Sequence, residues 1–453
     1  SRALPILLAL TTRVEGEERW RHALAGQTVT RLELEPLAPD AAAQLAARLG
    51  ASPSLRARAV ERAGGHPLLL TEMLRVPAGD DDSSLPPTVH GLIQGRLDRL
   101  PEVDRRAVQV AAALGPRVRL GDLRAVLEEP DYAPARLAEW RLLRQLERDV
   151  YAFTHALVRD AVYDALVPER RRGLHAACAA HLDRDPALAA THHERAGQSE
   201  RAAERYLEAA RRAFADDRYE DALDLATRSS VLGVARHEAL RLRGEALLVL
   251  GDATEAEETF VALRREAPDD AHRLRALLGR AEALRIANRW DHALDALDDA
   301  DALSGGRSAR SHYLRGGIYF ATGRLEECGE AHAAALEVAR ERGDVELMAR
   351  ASSGAADALY GSGRMTEAAP RYEECIARSR EAGLLGVEVV NRPMLSIVSV
   401  FLLELDAARA HADASLAQAR ELSHQRGETL AHGAASLTAL HAGDAEASVD
   451  HAL

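Results

Sequence analysis

Gly323-Arg324-Leu325-Glu326-Glu327-Cys328 returns forty residues later as Gly363-Arg364-Met365-Thr366-Glu367-Ala368. Anchored on its last residue, the same turn can be followed through Ala222, Ala256, Ala293, Cys328, Ala368, Ala408 and Ser448, with spacings of 34, 37, 35, 40, 40 and 40 residues. Every anchor is small. Five positions earlier stand Asp217, Gly251, Asn288, Gly323, Gly363, Leu403 and Gly443, six of which tolerate the left-handed backbone that ends a helix. Two turns before that come Ala210, Gly244, Ala281, Gly316, Ala356, Ser396 and Ser436, all small enough for a partner helix to approach closely. Three registered columns predict seven helical hairpins. Leu403 is the one turn residue of the wrong kind, so an irregular turn is expected in the sixth hairpin. The lengthening period predicts longer helices or loops towards the C-terminus.

This spacing, with Tyr219, Trp290, Leu325, Met365 or Leu405 two residues after several of the turns, resembles the tetratricopeptide repeat. The resemblance covers about residues 199–453 and implies a solenoid that binds partners. In such arrays the first helices of successive hairpins line the inner surface. That places Arg241, Arg280, Arg285, Tyr313 and Arg350 as candidate partner-binding residues, and their basic character points to an acidic ligand.

Composition narrows the remainder. With 47% apolar and 4% aromatic residues, the chain suits helices packed through alanine and leucine rather than a β-sandwich. The three cysteines, Cys178, Cys328 and Cys375, show no metal-binding spacing and fit a reducing compartment, so cytoplasmic localisation is expected. No apolar run is long enough to span a bilayer. A net charge of −13 disfavours direct contact with nucleic acid. All 58 basic residues are arginines, so no phosphate-binding loop of the G-x-x-x-x-G-K-[ST] type can be present. No catalytic motif or metal-ligand set appears either. His192-His193-Glu194 lacks the spacing of a metal site, because adjacent helical residues point about 100° apart. The chain starts at Ser1 and stops at Leu453 inside the last hairpin, which reads as a piece of a longer protein.

Before the repeats, residues 4–11 form a continuous apolar run of buried-strand type ending in Thr11-Thr12-Arg13, and residues 29–34 alternate as a second strand. Helices are expected from Asp40, as N-cap, to residue 49, and over about 53–63. After Gly64-Gly65-His66-Pro67 another follows to Leu74. Residues 77–87, with three consecutive aspartates and a closing Pro86-Pro87, have linker composition. Further helices are expected at 87–99, 102–114, 120–127 and, on the spacing of Leu137, Trp140, Leu143 and Leu146, over 133–146. Residues 149–153 alternate as a strand, 173–182 read as a helix, and 183–196 as a connector.

This order of parts resembles the C-terminal portion of a signal-transducing AAA-like (STAND) ATPase of the large ATP-binding LuxR-type regulators. The resemblance carries specific expectations. Arg13 would be the sensor arginine, Gly65 and Pro67 the motif lying against adenine, and His155, within Phe153-Thr154-His155-Ala156-Leu157-Val158-Arg159, the contact to the β-phosphate of ADP. The same residues also admit a local reading: Gly64-Gly65 as a helix C-cap, Pro67 as a first-turn proline, His155 as a core histidine. The implied fold is mainly α. It comprises a partial AAA-like lid remnant (1–76), a linker (77–87), a winged-helix-like domain (88–185) and a tetratricopeptide-type solenoid (186–453). The implied function is the regulatory, effector-binding region of an ATP-dependent switch that acts as a bacterial transcriptional regulator. ATP or ADP would bind only to the intact parent; this stretch would have no cofactor, no enzyme activity and no membrane contact. The alternatives are a scaffold attached to a cyclase or Ser/Thr kinase domain, and a pure protein-binding scaffold.

Overall fold

A computed structural model describes Leu32 and residues 34–49, 53–74, 89–233 and 235–452, and its contacts divide the chain into two units, residues 1–171 and 172–453. Arg13, the linker 77–87 and the strand expected at 4–11 lie outside the described residues, as does the strand at 29–34 apart from Leu32 and Leu34.

In the first unit, α1 (Pro39–Arg48), α2 (Pro53–Ala63) and α3 (Pro67–Leu74) bury Ala42, Ala46, Ala59, Leu70 and Met73 against one another. The N-cap of α1 lies two residues earlier than expected. Ala38 is its N-cap and Pro39 its first residue, whose fixed φ and missing N–H suit that place, while Asp40 falls in the first turn. Next come α4 (Val89–Asp98), α5 (Glu102–Leu114), β1 (Arg117–Arg119), α6 (Leu120–Leu127), α7 (Ala135–Glu139), β2 (Leu143–Glu147), β3 (Val150–Phe153) and α8 (Ala156–Asp164). The strands form an antiparallel sheet in the order β1-β3-β2, with Arg117 and Arg144 both opposite Ala152. Helices α4 to α8 thus surround a small three-stranded sheet. Arg96 on α4 forms an ion pair with Glu72 on α3 and also donates to the Trp140 carbonyl at the end of α7, joining the three helices through buried charge.

The long helix expected over 133–146 does not form. It stops at Glu139, Arg141 takes a left-handed conformation (φ 52°), and the chain leaves as β2. The apolar residues have helical spacing, but strand pairing satisfies the backbone while Leu142 and Leu143 still enter the core, at 0% and 1% exposure. The Arg141 carbonyl accepts from Thr154 Oγ at 2.7 Å, which closes the bend.

Helix α9 (Pro168–His181) begins five residues before the expected Gly173, so Arg170, Arg171 and Arg172 are already helical. Arg171 donates to the Tyr163 carbonyl and lies 4.5 Å from the Tyr163 ring centre. The expected connector 183–196 contains a further helix, α10 (Pro186–Arg195), capped by the Asp185 carboxylate, which accepts from Leu188 N–H at 3.1 Å.

Seven hairpins follow. They are α11 (Ser199–Ala215) with α12 (Tyr219–Leu232), α13 (Arg236–Leu250) with α14 (Ala253–Glu266), α15 (Asp270–Ile286) with α16 (Trp290–Ser304), and α17 (Ala309–Ala321) with α18 (Leu325–Arg342). The last three are α19 (Val345–Gly361) with α20 (Met365–Glu381), α21 (Leu385–Phe401) with α22 (Leu405–Glu421), and α23 (Gln425–His441) with α24 (Ala445–Ala452). Each is a two-helix unit that packs on its neighbours, as a solenoid requires. All seven anchors are buried, six at 0% exposure and Ser448 at 9%. The 40-residue period resolves into helices of 17 residues separated by three-residue turns, repeated from Val345 to His441.

All seven expected turn residues have positive φ, from 58° at Asp217 and Asn288 to 83° at Gly251. Leu403 is among them at φ 64°, so the sixth turn is regular and not the exception its side chain suggested. Its amide donates to Val400 O and Glu404 N–H to Ser399 O, the pattern of Gly323 and Arg324 on Phe320 O and Tyr319 O. The hydrogen bonds of the closed turn hold the leucine in place against its own Cβ. Leu403 is 80% exposed and contributes little packing. Leu403→Gly is therefore expected to stabilise the chain by about 1 kcal/mol, measured as a rise in the urea midpoint at unchanged slope. A lower midpoint would show that the side chain packs after all.

Candidate functional site

The first helices of the hairpins, brought side by side by the small-residue columns, enclose a cleft of about 950 Å³. Among its lining residues, all but one come from first helices: Glu245 on α13, Glu282 and Arg285 on α15, Arg310, Tyr313 and Phe320 on α17, Glu346, Arg350 and Asp357 on α19, and Arg426 on α23. The exception is His332 on α18, a second-helix residue that reaches the cleft floor between two glycines.

Of the five residues singled out in the sequence, the structure brings Arg285, Tyr313 and Arg350 together in this cleft. Arg241 is not among the lining residues; it pairs with Glu238 at 3.0 Å and Glu245 at 2.5 Å. Arg280 reaches Glu257 on α14 at 3.4 Å, an acid it shares with Arg289, and so braces neighbouring hairpins. Four acids line the cleft beside four arginines, so it is not the one-signed basic surface that the arginines alone suggested. Arg310 pairs with Glu282 at 2.5 Å, Arg350 with Glu346 at 2.9 Å, and Arg285 stands 4.0 Å from Glu282.

Asp357 differs from the other acids. Its carboxylate accepts from Tyr372 Oη at 2.5 Å and makes no ion pair; burial raises its pKa, against the Tyr372 hydrogen bond and the field of Arg426. His332 is 3% exposed. Burial lowers its pKa to about 4, leaving the ring neutral at physiological pH, and its Nδ1 has no hydrogen-bond partner. The Tyr313 ring meets it edge-on, centres 5.7 Å apart.

His332 stands four residues after its anchor, where the second hairpin carries Phe260. A Cβ at Gly316 or Gly354 would lie 2.6 or 2.3 Å from the His332 ring, and one at Gly244 or Gly279 would lie 2.7 or 2.3 Å from the Phe260 ring. The two rings therefore occupy equivalent slots between glycines on the helices before and after. Gly354 and Gly279 form a fourth registered position that the column reading missed. The signal was present: both stand two residues before a small-column residue, Ala356 and Ala281.

In the first unit, Gly65 has φ 76°, and its missing side chain gives room to Leu37 O, 2.5 Å from where a Cβ would be; Leu37 N–H donates to Gly65 O. His66 Nδ1 accepts from Leu69 N–H and Pro67 opens α3, so local geometry accounts for all three residues. His155 is the N-cap of α8, with no side-chain cap; its carbonyl accepts from Val158 and Arg159. His192 and His193 are buried and satisfied separately, by His175 Nδ1 at 2.8 Å and Gln198 Oε1 at 2.6 Å. Cys328 and Cys375 are buried thiols pushed up to about 11 by desolvation, which makes them poor nucleophiles.

A sequence profile of the tetratricopeptide repeat matches residues 307–381, the whole of the fourth and fifth hairpins. The second unit is a tetratricopeptide-type solenoid. An uncharacterised protein of Rhizobium meliloti (strain 1021), R02095, is 29% identical over 290 residues; the match takes in 54% of this chain, which spans 27% of that relative's length. Among solved structures, the STAND protein PH0952 of Pyrococcus horikoshii, described as having a tetratricopeptide repeat sensor, superposes with a TM-score of 0.54 at 15% identity. The superposition covers 95% of this chain and 67% of that one, a likeness of fold. Among the described residues no helix is long and apolar enough to cross a membrane.

Proposed function

We propose that this chain is the regulatory, partner-binding region of an ATP-dependent signalling switch, a bacterial transcriptional regulator of LuxR type. The observation that carries the reading is the 950 Å³ cleft, built by first helices of six hairpins and lined with alternating charge around exposed aromatic surface. A site of that size and polarity suits a protein segment or a comparable effector better than a small apolar ligand. The fold likeness to PH0952 supports attaching the solenoid to a nucleotide-driven core. In the intact parent, Arg13, Gly65, Pro67 and His155 would face ATP or ADP, and the winged-helix-like domain would hold the closed state until an effector bound. The effector shifts that balance only if it binds the open and closed states with different affinity. Residues 1–453 alone bind no nucleotide and catalyse no reaction: ATP and ADP are expected to leave the melting temperature unchanged, and a rise with either would overturn that part.

A photo-crosslinking amino acid placed at Phe320, in the cleft, tests the partner reading in cells of the source organism. The expected result is a discrete adduct whose yield falls at least tenfold when Arg350→Glu is added, and which is missing from the same probe at Val231. Equal adducts from the two positions would overturn it. Val231 is a fair control because it is 79% exposed and lies on second helix α12, away from the cleft.

A further inference from the structure

We infer that the cleft floor at Asp357 is a seat for a cationic group, the guanidinium or ammonium of a basic residue in a bound protein segment. The inference rests on the reading of the cleft as a partner site and names the chemistry it selects.

Glu245, Glu282 and Glu346 each have an arginine within ion-pair distance, at 2.5, 2.5 and 2.9 Å. Asp357 has only the neutral Tyr372 hydroxyl, which leaves most of its acceptor capacity unused. Withdrawing a lone carboxylate from water is unfavourable unless a cation meets it. The protein's own cations do not: Arg426 acts on Asp357 only through space and forms no ion pair with it. His332 cannot serve, because burial keeps its ring neutral. Its unpartnered Nδ1 is a second unsatisfied polar group in the same wall, in a slot where Phe260 shows that a fully apolar ring fits. An incoming cation would also find aromatic surface in the same cleft, since Phe320 is 43% exposed and Tyr313 already has the Arg310 guanidinium 5.8 Å from its ring centre.

The probes are three acetylated, amidated heptapeptides of alanine and serine with arginine, citrulline or glutamate at the centre, titrated calorimetrically into residues 1–453. The arginine peptide is expected to bind at least tenfold more tightly than the citrulline peptide. Asp357→Asn should abolish that preference; its amide oxygen still accepts from Tyr372, and an unchanged melting temperature verifies the fold. Arg426→Ala should tighten the arginine peptide and weaken the glutamate peptide, a change of sign that a merely structural role would not give. Equal binding of arginine and citrulline peptides, or an Asp357→Asn protein that keeps its preference, overturns the inference. So does binding of the glutamate peptide alone, which would leave the cleft standing as a partner site. If none of the three binds, the cationic seat is refuted, and the crosslink at Phe320 then decides separately whether the cleft takes a partner.

Discussion

Gly279→Ala should lower stability by about 2 kcal/mol, even though alanine is worth about 1 kcal/mol more than glycine inside a helix. Two effects of opposite sign meet here, and distance decides between them. A Cβ on Gly279 would lie 2.3, 2.5 and 2.6 Å from three Phe260 ring atoms, inside the ring's van der Waals surface. The ring has no free direction to retreat, because Gly244 approaches it on the neighbouring helix, with its own hypothetical Cβ 2.7 Å away, and Phe260 is 2% exposed. Overpacking of a closed core therefore outweighs helix propensity. A double-mutant cycle supplies the check. Phe260→Leu alone should cost about 1 kcal/mol through lost packing. Adding Gly279→Ala to it should cost much less than in the wild type, giving a coupling energy of about 1–2 kcal/mol. Additive losses by urea denaturation would mean that glycine is required for backbone reasons, although Gly279 has no positive φ.

The same slot shows how far the sequence can be read. Periodicity of small residues disclosed the hairpins, their turns and their anchors, because helix contact distance and left-handed backbone are each selected at single positions. It missed the inter-hairpin turns at Gly343, Gly383 and Ser423, which have φ of 69°, 70° and 52°. With them the later solenoid alternates identical turns, a regularity hidden because only one turn in two had been put in register. Side-chain direction was legible for Arg285, Tyr313 and Arg350 but not for Arg241 and Arg280, whose nearest acids claim them. His332 could not be selected by position on a first helix, since it reaches the cleft from a second helix through glycines. In the first unit, helical spacing at Leu137, Trp140, Leu143 and Leu146 was overridden by strand pairing, a tertiary preference that no local window contains.

His332→Phe should raise stability at neutral pH and flatten its fall in acid. Burial holds the His332 pKa near 4, against about 6.5 in the unfolded chain. Between those values the unfolded state carries one more proton than the native state, so stability rises with pH and is lost as pH falls from about 6.5 towards 4. The full loss attributable to this ring is on the order of 3 kcal/mol, complete near pH 4 and constant below it. His192, also lowered to about 4, and His411, lowered by burial, act in the same direction, so the variant should have a reduced slope and not a flat one. Glu388 is the opposite case in kind: its pKa is lowered by Arg380 and Arg392 against the cost of burial, and its contribution disappears at still lower pH, as the carboxylate itself protonates. At pH 7.5 the phenyl ring removes a buried, unpartnered Nδ1, a group that costs about 1–3 kcal/mol. The slot accepts it, because Phe260 lies between Gly244 and Gly279 with the same closeness as His332 between Gly316 and Gly354. Urea midpoints at pH 7.5 and 5.0 give both quantities in one experiment. A variant less stable than wild type at pH 7.5, or one with an unchanged pH slope, would place a hydrogen bond on His332 that keeps it from being merely a buried neutral ring. A stabilised variant that no longer distinguishes the arginine peptide would instead show why a histidine stands where phenylalanine packs better.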